Sequence, residues 1–471
     1  MRRYHHTKII FTIGPASQEA DTLRSLIAAG VDVCRLNMAH ASPEWVRETV
    51  GQVRAISKEV GREIAVMMDI KGPEIRTRDV SEPIELRKDE RFDFSTEETF
   101  VSEDGIRGVT VNYSGLPSDV AIGDTVLIDS GLIHMEVLET TSTRVRCRVL
   151  IPAALGSRRH INLPGVHVNL PSLTEKDRAD VALGAEVGVD FFALSFVREA
   201  ADIHVLRTLI AEVGSAARIV AKIEDNSGVT NIEEIVRATD AVMVARGDLG
   251  IEIPFESLPG VQDSIVAACL AEGKPVIIAT QLLESMMGSP MPTRAEISDV
   301  ATAIKELADC VMLSGETTVG KYPLRCVEVL NRIIHEVEPS CGKGFVTTIQ
   351  LKDPKSKLLR SAANLAKELG GSVVVFSRSG FLPAVLAALR TKVPIYAFTD
   401  VESTFRQMLL YWGVEPFLMN FSDADPERTI RDAFAYLKRG GWCTAGEYVA
   451  VITNVLAHQK IIDTIQLRTV E

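Results

Sequence analysis

Nothing in these 471 residues supplies a paired-cysteine framework: the seven cysteines are scattered, none forms a CxxC pair, and an odd count leaves no complete set of bridges. A reduced, cytosolic compartment is therefore expected. An excess of positive charge is also missing. Lys and Arg total 51 against 63 Asp and Glu, for a formal net charge of -12, the wrong balance for a general binder of nucleic acid or anionic membrane. A local basic pocket stays compatible with it. No apolar run is long enough to span a bilayer. The opening "MRRYHHTKIIFTIGPAS" passes from early arginines through a short apolar run into Gly-Pro, which reads as a strand rather than a signal peptide. Also lacking are short repeats, low-complexity tracts, a Walker A loop, a kinase glycine-rich loop and a dinucleotide fingerprint after the first strand. What is present, 46% hydrophobic and 24% charged residues, describes a globular protein large enough for more than one core.

Short apolar runs recur: "TKIIFTIG", "VDVCRLN", "EIAVMMD", then after a long gap "VDFFALSF", "RIVAKIED", "DAVMVARGD", "PVIIATQ" and "DCVMLSGE". Helix-length amphipathic stretches follow most of them. Strands alternating with helices imply a parallel sheet, because parallel strands need long crossovers. Eight is the number that closes a (β/α)8 TIM barrel, preferred over an open doubly wound sheet. The expected fold is therefore α/β, with a barrel formed by residues 1–72 and 165–338. The gap, 73–164, is rich in Val, Thr and Phe and broken by Gly and Asp, so it reads as an inserted β domain, barrel-like and placed as a lid over the mouth. Residues 345–471 alternate again ("SVVVFS", "VPIYAFT", "YVAVIT"), which predicts a C-terminal α/β domain.

The C-terminal ends of the eight runs carry Arg35 and Asn37, Asp69 and Lys71, Ser195, Lys222 and Glu224, Arg246 to Asp248, Thr280, then Ser314 and Glu316. In a barrel these positions converge on the face where catalytic groups gather. Glu224 and Asp248 offer hard oxygen ligands for a divalent cation such as Mg2+; alternatively each pairs with a nearby cation, Lys222 or Arg246. Lys222 suits a positive charge set against a transferring group. Arg35 and Arg76 add bidentate anion recognition. The turn "ARGDLG" opens a short helix and presents backbone N–H groups to a carboxylate or phosphate, and Thr280 adds a hydroxyl. Together these suggest phosphoryl transfer or stabilisation of an enolate.

The segments "TKIIFTIGPAS", "CRLNMAH", "MDIKGPEIRT", "INLPG", "LTEKD", "SFVR", "AKIED", "MVARGDLGIEIP", "ATQLLESM", "PTRAEISDVA" and "MLSGETTVGKYP" resemble, in order, the signatures of the pyruvate kinase family. The resemblance implies transfer of a phosphoryl group from phosphoenolpyruvate to ADP, with Mg2+ (or Mn2+) and K+ as cofactors and a homotetramer as the assembly. Carried over residue by residue, Lys222 resembles the lysine on the transferring phosphoryl group and Arg35 the substrate-phosphate arginine. Glu224 and Asp248 match the Mg2+ ligands. Gly247, Asp248, Thr280 and Ser195 match substrate contacts. Asn37, His40, Arg76 and Arg159 match nucleotide contacts, Arg159 standing where the family has a lysine on the lid. Thr280, Ser314 and Glu316 resemble the region of enolate protonation, and Arg76 is carried with the catalytic set.

The family's K+ ligands map to Asn37, Ala39, Asp69 and the Ile70 carbonyl, so alanine removes one oxygen, while Glu74 is the residue type of K+-dependent members. The implied outcome is weaker K+ binding with water in place of the hydroxyl. Two smaller departures are Asp129-Ser130 at the lid hinge and Val319 after "SGET". In the C-terminal domain, Ser377, Arg378, Ser379 and Gly380 form either a phosphate-binding turn for a sugar-phosphate or nucleotide effector, or an ordinary helix cap. Another metal-dependent barrel enzyme acting through a pyruvate enolate, and a non-catalytic metabolite sensor, are the competing readings. The first leaves the insert, Arg159 and His40 without a task.

Overall fold

Eight short apolar strands, each buried on both faces, close on themselves. A computed structural model of the chain describes residues 4–39, 41–102, 104–341, 351, 353–422, 424–457 and 460–471, with backbone only for 454–457 and 460–462. The strands are β1 (Lys8–Thr12), β2 (Val33–Asn37), β3 (Ala65–Ile70), β4 (Phe191–Leu194), β5 (Arg218–Ile223), β6 (Ala241–Ala245), β7 (Val276–Ala279) and β8 (Cys310–Leu313). Their order around the barrel is sequential, and β1 pairs in parallel with β8 through Lys8 and Cys310 to complete it. Continuous rather than alternating hydrophobicity is what such strands need, since helices cover one face and the barrel core the other.

The surrounding helices carry their own start and stop signals. Ser42 accepts a bond from the Trp45 N–H and Pro43 occupies the first turn of the helix Pro43–Val60, which Gly61 ends at φ 66°. Thr174 and Thr293 each form a capping box with the acid three residues on.

The insert folds around a separate core that includes Phe92, Phe94, Val109, Ile133 and Val145. Its six-stranded sheet runs in the order Ile161–Asn162, Thr125–Ile128, Ile133–Thr140, Arg144–Ile151, Arg91–Ser95, Arg107–Thr110. The chain leaves the barrel at Gly72, whose φ of 70° and close approach to Ser195 exclude a side chain: an added Cβ would lie 3.2 Å from the Ser195 Cβ.

The C-terminal unit is a five-stranded sheet, ordered Val414–Leu418, Ile395–Thr399, Ser372–Phe376, Tyr448–Ala457, Lys460–Thr469, with a final antiparallel hairpin. It seals the N-terminal end of the barrel. Leu409 and Leu410 pack with Ile10, Val33 and Met67 on the barrel floor. Arg390 and Asp309 form a fully buried pair there, Nη1 to Oδ1 2.9 Å, and the Lys8 ammonium donates to the Val414 carbonyl at 2.8 Å. The floor being closed, the other end of the barrel is the open one. All seven cysteines are free and buried, and no helix among the described residues is long and apolar enough to cross a membrane.

Candidate active site

At the C-terminal rim the centre is Lys222, the penultimate residue of β5. Its Nζ lies 2.9 Å from Glu224 Oε1, 3.1 Å from Asp69 Oδ1 and 2.7 Å from Ser195 Oγ. Neighbouring strands β3, β4 and β5 deliver those groups, so barrel order explains the cluster. Lys222 is 8% exposed and Glu224 1%, which puts a cation between two carboxylates in a nearly dry site. Burial opposes the Lys222 charge, but Asp69 and Glu224 outweigh it and raise the ammonium above its usual range. Burial similarly opposes ionisation of Asp69, yet Arg35 and Lys222 hold it below the ordinary carboxylate value. For Glu224, burial dominates and pushes the carboxyl up, with the Asp248 charge adding to it.

Arg35 clasps Asp69 (Nε to Oδ2 2.7 Å) and reaches the Thr12 hydroxyl at 3.1 Å. Glu224 uses its second oxygen to accept from the Phe196 N–H at 2.7 Å, a contact made possible by the left-handed φ of 52° at Phe196. Asp248 sits on the first turn of the helix Arg246–Glu252, and no described residue pairs with its side chain. Glu224 and Asp248 follow the C-terminal ends of the adjacent strands β5 and β6. Among the described residues no cage of three or more His, Cys, Asp or Glu exists. Two hard carboxylates, one without a partner among the described residues and one buried, suit a divalent ion that keeps several waters, as Mg2+ does.

Arg246 does not join this group. Its guanidinium forks onto Asp299 at 2.7 and 2.8 Å and donates to the Thr280 carbonyl at 2.7 Å, buried beneath the turn. Asp248 and Gly247 are thereby aimed at the rim. Thr280 holds φ 65°, unusual for a β-branched residue, and its Oγ accepts the Gly247 N–H at 2.8 Å. Glu316 accepts from the backbone N–H groups of Ser314 (2.8 Å) and Leu283 (3.1 Å). The Ser314 hydroxyl is buried with no hydrogen-bond partner among the described residues.

The residues expected from the family resemblance to ligate a monovalent ion are all engaged. Asn37 Oδ1 accepts the Ala39 N–H at 3.1 Å, Asp69 is shared by Arg35 and Lys222, and the Ile70 carbonyl accepts from Ser195 at 2.9 Å. With Ala39 contributing no side-chain oxygen, the fit to a monovalent cation is incomplete and leaves positions for water.

On the insert side, Arg76 pairs with Glu74 (2.5 Å), which Lys71 also reaches at 3.0 Å. Arg159 pairs with Asp129 at 3.1 Å. Asp129 and Ser130 both adopt left-handed backbone, φ 54° and 57°. His40 lies outside the described residues. Ser377, Arg378, Ser379 and Gly380 are in the C-terminal sheet unit, away from the rim. There Ser377 Oγ accepts from the Gly380 N–H at 3.0 Å and Arg378 pairs with Asp400 at 2.8 Å.

Missed by reading the residues was Glu252, the last residue of the helix that carries Asp248. It accepts from the Asn162 side chain at 2.7 Å, and burial pushes its carboxyl up to about 7. The available signal was a carboxylate flanked by Ile251 and Ile253.

Residues 4–327 match the family model "Pyruvate kinase, barrel domain", and residues 356–467 match "Pyruvate kinase, alpha/beta domain". The chain belongs to the pyruvate kinase family. It is 38% identical to plastidial pyruvate kinase 2 of Arabidopsis thaliana over 98% of this chain and 81% of that one. With the Agrobacterium vitis pyruvate kinase the identity is 42%, over 88% and 86%. A crystal structure of a pyruvate kinase from Cryptosporidium parvum superposes with a TM-score of 0.94 at 32% identity, covering 99% of this chain and 96% of that one. Barrel, inserted mixed sheet and C-terminal α/β unit are thus the architecture of this pyruvate kinase relative, as the order of its motifs implies.

Proposed function

We propose that this chain moves the phosphoryl group of phosphoenolpyruvate to ADP, giving pyruvate and ATP, the last step of glycolysis. The observation that carries the reading is the Lys222 ammonium, fixed within 3.1 Å of three oxygens at the open rim, beside the Glu224 and Asp248 carboxylates. Held in advance by Asp69 and Ser195, that charge needs little reorganisation as negative charge builds on the transferring group. Arg35, anchored by Asp69, receives the substrate phosphate. Gly247, Asp248 and Thr280 bracket the substrate carboxylate. Glu224 and Asp248 would hold Mg2+ or Mn2+, which supplies Lewis-acid charge to the phosphate and enolate oxygens. Asn37, Asp69 and the Ile70 carbonyl would hold K+ weakly. Asn37, His40, Arg76 and Arg159 serve the nucleotide, with residues 73–164 acting as the lid over the barrel of 1–72 and 165–338.

After transfer, the enolate takes a proton on carbon from the Thr280–Ser314 side. Ser314 has the uncommitted hydroxyl there, and Glu316, consumed by two backbone donors, holds that loop in place. A cytosolic homotetramer belongs to the same proposal, supported by family membership, with 345–471 as its regulatory domain. A sugar-phosphate or nucleotide effector at Ser377–Gly380 would have to draw Arg378 off Asp400.

A coupled assay decides the activity. Pyruvate formation from phosphoenolpyruvate plus ADP and Mg2+ is expected, and turnover only with an aldol substrate, or none at all, would overturn the reading. Light scattering on a sizing column tests the tetramer.

A further inference from the structure

The insert returns to the barrel through a strand of only two residues, Ile161–Asn162, at the edge of the six-stranded sheet. This strand pairs with Ile128 and Leu127, and the adjoining His160 carbonyl accepts from the Asp129 N–H at 3.1 Å, while His160 also bridges to Arg76. Asn162, Arg159, Asp129 and Arg76 therefore move as one piece.

On the barrel side stands Glu252. One of its oxygens accepts from Asn162 Nδ2 at 2.7 Å. Asn162 is 2% exposed and its Oδ1 has no partner, so among the described residues the amide is oriented by Glu252 alone. Packing across the junction includes the tilted His160–Phe196 ring pair, centroids 5.8 Å apart. A cavity of about 90 Å3 lies against this contact, lined by Glu252, Asn162, His160, Phe196, Arg198 and Asp225. Beside an unfilled space, a directional polar tie sets position where apolar contact would leave slack. Arg198 ties the following segment, donating to the Val168 and Leu170 carbonyls at 2.6 and 2.7 Å, but that clasp lies beyond the sheet.

We infer that Glu252 is a positioning residue: it locks the inserted sheet to the helix that carries Gly247 and Asp248, and so sets where Arg76 and Arg159 meet the barrel rim. The inference rests on the proposed phosphotransfer for its kinetic readout, and not for its structural one.

The test uses the full chain. In E252A, hydrogen exchange of the 161–163 amides in substrate-free protein should quicken by at least about tenfold, and the KM for ADP should rise about tenfold, the order of one hydrogen bond to a charged group. The KM for phosphoenolpyruvate should move by less than about twofold. E252Q, which keeps an acceptor for Asn162, should restore most of the ADP affinity. Unchanged exchange in E252A would overturn the inference. So would equal rises in both KM values together with a fall in Tm, which mark a merely structural carboxylate. Should E252A not fold, N162A breaks the tie from the other side and must quicken the same amides, or the inference fails. A wild-type chain without turnover would sink the proposed activity, leaving the exchange result to decide the tie.

Discussion

Replacing Lys222 by methionine keeps most of the apolar stem and deletes the charge, and the structure says what that charge is worth. The ammonium lies 2.9 Å from Glu224 and 3.1 Å from Asp69. At an effective dielectric near 20, each attraction amounts to about 5–6 kcal/mol before desolvation is subtracted. Breaking a buried pair from one side typically costs about 3–5 kcal/mol, because a charge is left without compensation. The metal-free K222M protein should therefore be destabilised by roughly that amount. Turnover should fall by at least about 10²–10³, the usual loss when one preorganised charge is taken from a transition state. Metal binding should go the other way. Freed from Lys222, Glu224 Oε1 becomes available, so calorimetric Mg2+ affinity should stay level or tighten, and Mg2+ should recover part of the lost Tm. The decisive assay is kcat from pyruvate formation, run beside the Mg2+ titration. Residual kcat within about tenfold of the parent would refute the assignment of Lys222. Loss of Mg2+ binding in step with kcat would instead make it a scaffold for the metal site.

Ala39→Ser restores the missing oxygen, so half-maximal activation should need less K+; parent activity that does not respond to K+ over K+-free buffer would defeat the weak site altogether. Asp32, buried under β1 and β2, accepts from the Ile9 N–H at 2.8 Å and from Arg62 at 2.7 Å. Burial opposes its charge, but His5, Lys8 and Arg62 outweigh that and bring its pKa from 3.8 down to about 2. A depressed carboxyl stabilises the fold above its unfolded pKa and loses the effect as pH falls through the folded one. D32N should thus cost about 2 kcal/mol at pH 7 by linkage, with the gap to wild type closing between pH 4 and 2 in acid-unfolding curves. Arg246→Met removes the fork onto Asp299 and the bond to the Thr280 carbonyl. Stability should drop by about 3 kcal/mol, the low end for a broken buried pair because Asp299 is partly exposed, and the KM for phosphoenolpyruvate should rise as the Gly247–Thr280 contact loosens.

Much of the molecule is legible in its sequence. The eight runs from "TKIIFT" to "DCVML" became β1 to β8 because two-sided burial demands unbroken apolar residues, and that demand is written locally. Closure then carried Arg35, Asp69, Lys222, Glu224, Asp248 and Thr280 to one rim, since parallel strands share an orientation. The turn at Ser377–Gly380 shows where such reading stops. Its letters serve a phosphate or a helix cap equally well, and only the folded chain shows that Arg378 pairs with Asp400 and Ser377 accepts from the Gly380 N–H.

Sequence alone thus determined the barrel's strand count and which polar residues end each strand. These depend on periodicity and on neighbours a few positions away. Tertiary structure alone decided that Lys222 is shared by Asp69, Ser195 and Glu224, that Arg246 turns down to Asp299, and that Glu252 meets Asn162. Except for Glu224, two residues from Lys222, those partners lie at least 27 positions apart along the chain, and such side chains meet only once folding has brought them together out of water.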